Sequence, residues 1–290
     1  MRAFIASGKW PSMAPAPSKT DYKDSAPGLV KGVWQGIASF SESVLCLEEP
    51  YNTKAIFGRV VQRVLEMLTS QLGTVPFVQV GANDGVSADH IHSFVKSGAW
   101  RGVLVEPAPA PFARLLENYR GVEGLQFAPL AISTSAGTLP FYFVEGDDGL
   151  SSFSLDTILS HAPKYEDLRS MIRTLEVNTR SLDEVCDEYG VSNPAVVAVD
   201  TEGTDDIVLQ SLSIEERRPS VILFEHCHLS GERSAKLRDR LIAAGYRLIH
   251  DRHDALAIAP GTFDEAEVEF MADVIAVARA NFPKAGLDTL

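Results

Sequence analysis

From Phe77 onward the chain alternates between short apolar runs and amphipathic stretches. "PFVQV", "GVLVEP", "LQFAPLAI", "PAVVAVD" and "SVILFEH" are compact, β-branched-rich runs of the kind buried in parallel sheets. Between them, "SADHIHSFVKSG", "APFARLLENYRG", "SLDEVCDEYG", "TDDIVLQSL" and "SAKLRDRLIAAG" repeat apolar positions at three and four, as helices do. Ser87 reads as the N-cap and Gly98 as the stop of the first of these helices; Ser181 with Glu184 forms a capping box for the third. "LPFYFVE" and "LEVNTR" read as additional strands. "YRLIH" and "ALAIAP" flank the turn "DRHD" as a hairpin, and "DEAEVEFMADVIAVARANF" closes the chain as a helix. Upstream, Ile56, Val60, Val61, Val64, Leu65 and Leu68 mark a helix that Gly73 ends, and "GLVKGVWQGIASFSESVLCLEEP" is helical in part.

Strand alternating with helix predicts an open α/β sheet, mostly parallel and covered on both faces. The hairpin strands must be antiparallel, because parallel neighbours need a long crossover. One reversed strand is therefore expected near the sheet edge. The domain reading is a flexible leader over residues 1–28, rich in Pro, Ser, Ala and Lys, an N-terminal helical cap over 29–74, and the α/β domain over 75–290.

Composition narrows the partners. The 290 residues are 45% hydrophobic and 22% charged, enough apolar material for a sizeable core. The net charge of −13 argues against a general phosphate-backbone binder, so no nucleic-acid partner is expected. Cys46, Cys186 and Cys227 form no CxxC pair and suit a reducing compartment; Cys227 is expected in the core. The leader lacks the apolar centre of a secretory signal, and no run approaches the roughly 18 residues of a membrane span. The expected compartment is the cytoplasm, with no membrane partner.

The turn after the first strand, Gly81-Ala82-Asn83-Asp84-Gly85, sits where open α/β sheets bind ligands. It lacks the middle glycine of a G-x-G-x-x-G dinucleotide fingerprint, and no G-K-[ST] makes a P-loop. Asp84 near the helix start would repel a phosphate. Glu106 ends the next strand, 25 residues after Gly81, where a carboxylate can accept both hydroxyls of a ribose. A ribose contact without a phosphate cradle suits a cationic sulfonium nucleoside, the logic of an S-adenosylmethionine site. The plain alternative is a glycine turn and a helix-capping carboxylate in an unrelated α/β enzyme.

The ordered series "VGANDG", "VLVEPAPAPFARLLENY", "LAIS", "AGTLPFY", "SSF", "VNTRSLDEV", "AVDTEGTDDIVLQSL" and "VILFEHCH" resembles the FkbM family of S-adenosylmethionine-dependent methyltransferases, from about Phe77 to about Ile258. The resemblance implies a class I methyltransferase (Rossmann-like) fold, a seven-stranded mostly parallel sheet with its last strand antiparallel. By position, Gly81, Asn83 and Gly85, with Asp84 between them, would wrap the methionine and ribose. Glu106 would hold the ribose hydroxyls and Pro107 would shape the adenine pocket, with Ala131 and Ile132 near the adenine. Ser151 and Ser152 match the family's Ser-Ser element. Two positions depart from the pattern. Gln79 stands where an acidic residue is usual and keeps one acceptor for the ligand ammonium; Ala198 stands where a lysine is usual.

Methyl transfer to a hydroxyl needs alignment and removal of a proton. Asp200 and Glu202, after "AVVAV", and Glu225 with His226, after "SVILF", gather at the carboxyl ends of their strands. Asp200 is both a cofactor-contact and a catalytic candidate. These carboxylates suit a divalent cation such as Mg²⁺; alternatively His226 or His228 serves as base. Against these roles, Asp200 and Glu202 also suit the first turn of a helix. His90 and His92 read as packing or surface residues. The segment 145–175, with Phe153, His161, Tyr165, Arg169 and Arg173, reads as a lid; the arginines, four apart, hold an acidic acceptor or form an exposed face. The expected reaction is O-methylation of a hydroxyl on a small metabolite or glycan. N- or carboxyl-methylation and a catalytically silent binding protein are the alternatives, and the extra N-terminal helices suit a homodimer.

Overall fold

The computed structural model describes residues 53–281, so the predicted leader and the cap residues before Thr53 lie outside the described residues. The chain runs α1 (Thr53–Leu72), β1 (Val75–Val80), α2 (His92–Lys96), β2 (Trp100–Val105), α3 (Pro109–Asn118), β3 (Leu125–Ala128), β4 (Ala131–Ile132), β5 (Gly137–Val144) and β6 (Asp147–Ser152). It continues α4 (Leu155–Ser160), α5 (Leu168–Met171), β7 (Ile172–Arg180), α6 (Leu182–Glu188), β8 (Val196–Val199), α7 (Asp205–Gln210), α8 (Ile214–Arg217), β9 (Val221–Glu225), α9 (Gly231–Ala243), β10 (Arg247–His250), β11 (Asp254–Ile258) and α10 (Glu265–Asn281). No helix among the described residues is long and apolar enough to cross a membrane.

Seven strands form one sheet in the order β10-β11-β9-β8-β1-β2-β3. β11 is antiparallel to both of its neighbours, while the pairs of β1, β2, β3, β8 and β9 are parallel. The reversed strand thus lies one place in from the edge, as the hairpin predicts. Alternate side chains divide the core into two layers. Phe77, Leu104, Val196 and Leu223 face α1, α3 and α10, whereas Val78, Val80, Val103 and Val197 face α6, α7 and α9.

Helix α1 is built into this core. Phe57, Val60, Val61, Val64 and Leu65 are fully buried against the sheet, each such side chain contributing about 1.5–3 kcal/mol of burial. Trp100, also fully buried on β2, donates its indole N–H to Thr69 Oγ1 at 2.9 Å and fixes the helix end.

A second sheet, ordered β4-β7-β5-β6, stands beside the first. β5 is antiparallel to β6 and β7, and β7 runs parallel to the two-residue β4. The sequence predicts β5 and β7 but not β6, whose residues "DDGLSS" carry almost no apolar signal. Beneath this sheet, Val144, Leu150, Ile158 and Leu168 make a separate small core.

Candidate functional site

The carboxyl ends of the central strands are in register. Val80 pairs with Val105 and Val199, and Val199 pairs with Phe224. Gly81, Glu106, Asp200 and Glu225 therefore leave the sheet at one rim. Above it lies a cavity of about 250 Å³. Its lining includes the predicted Gln79, Gly81, Asn83, Glu106, Pro107, Ala131, Ile132, Asp200 and Glu202, together with Ser151. Asp84, Gly85, Glu225 and His226 do not line it.

The turn glycines are explained by the protein's own packing. Gly81 has φ +76°, and a Cβ there would lie 1.7 Å from the carbonyl oxygen of Asp200. Gly85, at φ +72°, abuts the Tyr119 ring, with a Cβ placed 2.4 Å from it. Asp84 turns away from the cavity and accepts from the backbone N–H of Val86 at 2.9 Å and of Ser87 at 2.8 Å. Those bonds hold residues 84–87 in a turn, and Ala88 then adopts a left-handed φ of +55°. The following helix consequently starts at His92 instead of at Ser87, which is not its N-cap; Gly98, left-handed at φ +78°, does follow its end.

Glu106 is buried and doubly bonded. Its Oε2 accepts from Asn83 N–H at 2.9 Å and its Oε1 from Ala108 N–H at 2.7 Å. Burial pushes its pKa up to about 7 against the pull of those donors. Asn83 reaches it from a left-handed φ of +46°, which asparagine tolerates. Also in the lining, Gln79 Nε2 donates to Asp89 Oδ2 at 3.1 Å, while buried Gln79 Oε1 has no hydrogen-bond partner among the described residues. Asp89 also accepts from Ile91 N–H at 2.8 Å, and burial raises its pKa. Asp89 was not singled out in the sequence, because only the folded turn brings it beside Gln79.

The far wall is apolar. Ala108, Ala131, Phe141 and Val177 form a buried cluster with Phe153 and Leu175 against it. Phe141 and Phe153 meet edge to face, ring centroids 5.2 Å apart, and both line the cavity.

The rim at β8 and β9 is acidic. Asp200 opens into the cavity yet is ringed by protein; desolvation, then the charges of Asp254 and Asp89, raise its pKa to about 6. Glu202 has a left-handed φ of +50° and a pKa raised to about 9 by burial and by Glu225. Burial likewise lifts Glu225 to about 7. Asp205, wholly buried, ties the two strand ends together by accepting from Thr201 Oγ1 at 3.0 Å and from Glu225 N–H at 3.2 Å.

Three segments fix Glu202. Fully buried Ser152 donates its hydroxyl to the Glu202 carbonyl at 2.8 Å. Gly203, at φ +94°, leaves room for Thr157 of α4 and for His228, to which a Cβ would come within 2.9 and 3.3 Å. His228 Nε2 consequently stands 3.3 Å from Glu202 Oε2 and 3.7 Å from Glu225 Oε2. The His161 ring, just after α4, lies 5.3 Å from that of His228. Burial, then neighbouring cationic groups, lowers the pKa of both histidines, so both are neutral near pH 7.

The remaining candidates sit elsewhere. His226 donates its backbone N–H to His253 O at 2.8 Å and packs its ring edge-on to His250, outside the cavity lining. Cys227 is exposed, contrary to the expected core position: it lies beyond the end of β9, where strand alternation no longer applies, and its thiol points to Glu225 Oε1 at 3.4 Å. His90 lines the cavity, 4.0 Å from Asp254 Oδ2, and His92 bonds Gly85 O at 2.6 Å through Nδ1. Arg169 lies on α5 and Arg173 on β7, so they share no helix face; Arg173 pairs with Glu145 at the surface.

A parallel sheet with one reversed strand next to its edge, and a cavity over the carboxyl ends of β1, β2 and β8, define a class I methyltransferase architecture. The chain belongs to the FkbM methyltransferase family: the Methyltransferase FkbM domain matches residues 79–248. The 2-O-methyltransferase NoeI of Sinorhizobium fredii (strain NBRC 101917 / NGR234) is 23% identical over 186 residues, covering 63% of this chain and 72% of the relative. The crystal structure of methyltransferase FkbM from Methylobacillus flagellatus KT aligns with a TM-score of 0.43 at 15% identity, over 79% of this chain. This chain spans 60% of the length of that protein.

Proposed function

We propose that this S-adenosylmethionine-dependent methyltransferase methylates a hydroxyl group of a small metabolite or a glycan. The observation that carries the reading is that the cavity lining holds two sets of polar groups. One offers buried acceptors, Glu106 and the Gln79–Asp89 pair, suited to a ribose diol and an ammonium. The other presents Asp200 and Glu202 beside neutral His228.

In this reading Glu106 accepts the ribose hydroxyls while its backbone bonds hold it still, and Gln79 Oε1 and Asp89 take the methionine ammonium. Pro107, Ala131, Ile132, Phe141 and Phe153 enclose the adenine. The acceptor oxygen then attacks the methyl carbon, the carbon–sulfur bond breaks, and sulfur keeps the electron pair as a neutral thioether. The acceptor's proton passes to His228 or to a carboxylate of the rim. The all-oxygen set Asp200, Glu202 and Glu225 also suits Mg²⁺, which would lower the hydroxyl pKa.

Asp200, raised only to about 6, disfavours a carboxylate acceptor near pH 7 by like-charge repulsion, and the net charge of −13 disfavours nucleic acid. The NoeI relative is a 2-O-methyltransferase, which agrees with a hydroxyl acceptor. The test is calorimetry with S-adenosylhomocysteine, followed by radiolabelled methyl transfer to panels of sugars, phenols, amines and carboxylates. Binding with ether products supports the reading. Absence of binding, or label appearing only on nitrogen or carboxylate, overturns it.

A further inference from the structure

We propose that His161, Glu202 and His228 bind one divalent first-row transition metal ion. One ligand atom from each lies within 4.8 Å of the other two. The 3.3 Å between His228 Nε2 and Glu202 Oε2 is close to the roughly 3.4 Å edge of a tetrahedron with metal–ligand bonds of about 2.1 Å. Glu202 Oε2 and Glu225 Oε2 are buried, point toward the same imidazole nitrogen, and have no hydrogen-bond partner among the described residues.

The convergence is built by packing. Glu202 is held by Ser152, and His228 and α4 close over Gly203, at a φ that strongly favours glycine. The three ligands come from the β8–α7 turn, the β9–α9 loop and the end of α4. Their juxtaposition therefore needs the second sheet and its helix to be docked.

Two imidazoles and one carboxylate select zinc, cobalt, iron or manganese over magnesium, which prefers oxygen alone. Three protein ligands leave a fourth position for an oxygen from outside. Glu202 also lines the main cavity, so such an ion adjoins it. That ion's part in turnover rests on the hydroxyl-methylation reading; its binding does not.

The test uses the full chain, freed of any histidine tag and stripped with a chelator. Zinc, cobalt and magnesium are titrated by calorimetry, with cobalt also followed by its visible d–d absorption. S-adenosylhomocysteine binding and circular dichroism are recorded on the same samples as controls for the cofactor reading and the fold. Expected is one zinc or cobalt per chain, bound more tightly than magnesium. His161→Ala and His228→Ala should each weaken it about 100-fold or more, beyond the loss of an outer hydrogen-bond partner, while the dichroism is unchanged. His228→Asp, which keeps a ligand oxygen, should weaken it less and shift the cobalt bands.

No stoichiometric zinc or cobalt binding overturns the proposal. So does binding unaffected by both histidine variants, or tighter magnesium than zinc, which would assign the ion to the all-oxygen set. Loss of S-adenosylhomocysteine binding with metal binding intact counts against the methyltransferase reading alone.

Discussion

Gln79 donates to Asp89 at 3.1 Å, and the pair returns a carboxylate to a corner of the cavity where the strand itself supplies only an amide. The charge has moved from β1 to the turn that follows it. If that corner receives an ammonium, Asp89→Asn weakens S-adenosylhomocysteine by about tenfold or more, the scale of a hydrogen bond to a charged group. Methylthioadenosine, which lacks the amino acid, should bind the variant and the wild type alike. Equal losses for both ligands, measured by calorimetry, would assign Asp89 a structural role. Gln79→Glu sets a second carboxylate against Asp89, so the free protein should melt lower, with a larger ligand-induced rise in Tm.

Glu106 accepts two backbone N–H groups, and an amide can satisfy only one of them while turning its own donor toward the other. Glu106→Gln is expected to lower stability by about 1–3 kcal/mol in urea unfolding. It should also reduce S-adenosylhomocysteine affinity by tenfold or more. Because burial places the wild-type carboxyl pKa at about 7, affinity should rise as pH increases through that value, and the variant should show no such rise.

The acidic rim predicts how stability depends on pH. A carboxyl whose folded pKa exceeds its unfolded value stabilises fully below the unfolded pKa, and that contribution is lost as pH rises toward the folded pKa. Glu202 is raised from 4.5 to about 9 by burial and by the neighbouring Glu225. The histidines lowered by burial act in the opposite sense, but only below their ordinary 6.5. Between about pH 7 and 8.5, in the presence of chelator, Tm should therefore fall, and Glu202→Gln should flatten that slope. An unchanged slope in the variant would mean that another group carries the charge.

Gly81 and Gly98 share a left-handed backbone but differ in surroundings. A Cβ at Gly81 meets the Asp200 carbonyl at 1.7 Å, whereas nothing lies within 4 Å of one at Gly98. Gly98→Ala should cost about 1–2 kcal/mol, the backbone strain alone. Gly81→Ala should cost about 3 kcal/mol or more, since β1 and β8 must separate. Comparable costs for the two, from denaturant melts, would remove the steric explanation for the turn.

The main sheet was legible because each strand is a short apolar run between amphipathic helices, and the reversed strand followed from the brevity of "DRHD". The glycine turn and Glu106 were legible from spacing. Three features were not. β6 carries one apolar residue, Leu150, so its pairing with β5 leaves no periodic trace. The true start of α2 was hidden because Asp84 takes the backbone N–H of Val86 and both the N–H and the hydroxyl of Ser87, holding Ser87 in a turn. Asp89 and His161 become site residues only through tertiary contact, Asp89 with Gln79 across ten residues, and His161 with a loop more than sixty residues away. Cys227 misled because alternation was extended past the point where β9 ends.

The backbone N–H of Ser133 donates to the carbonyl of Arg180 at 2.8 Å. The chain thus leaves and rejoins the main fold at neighbouring residues, having built β5, β6, α4, His161 and most of β7 in between. Segments whose ends meet in this way can be exchanged with little disturbance to the host. Residues 134–179 form, in effect, a cassette: replacing them with the corresponding segment of a relative would transplant one whole wall of the chamber while leaving the Gln79, Glu106 and Asp200 corners in place. Such an exchange would reshape the chamber's apolar wall, Phe141 and Phe153 included, while the polar contacts of Gln79 and Glu106 stay with the main sheet.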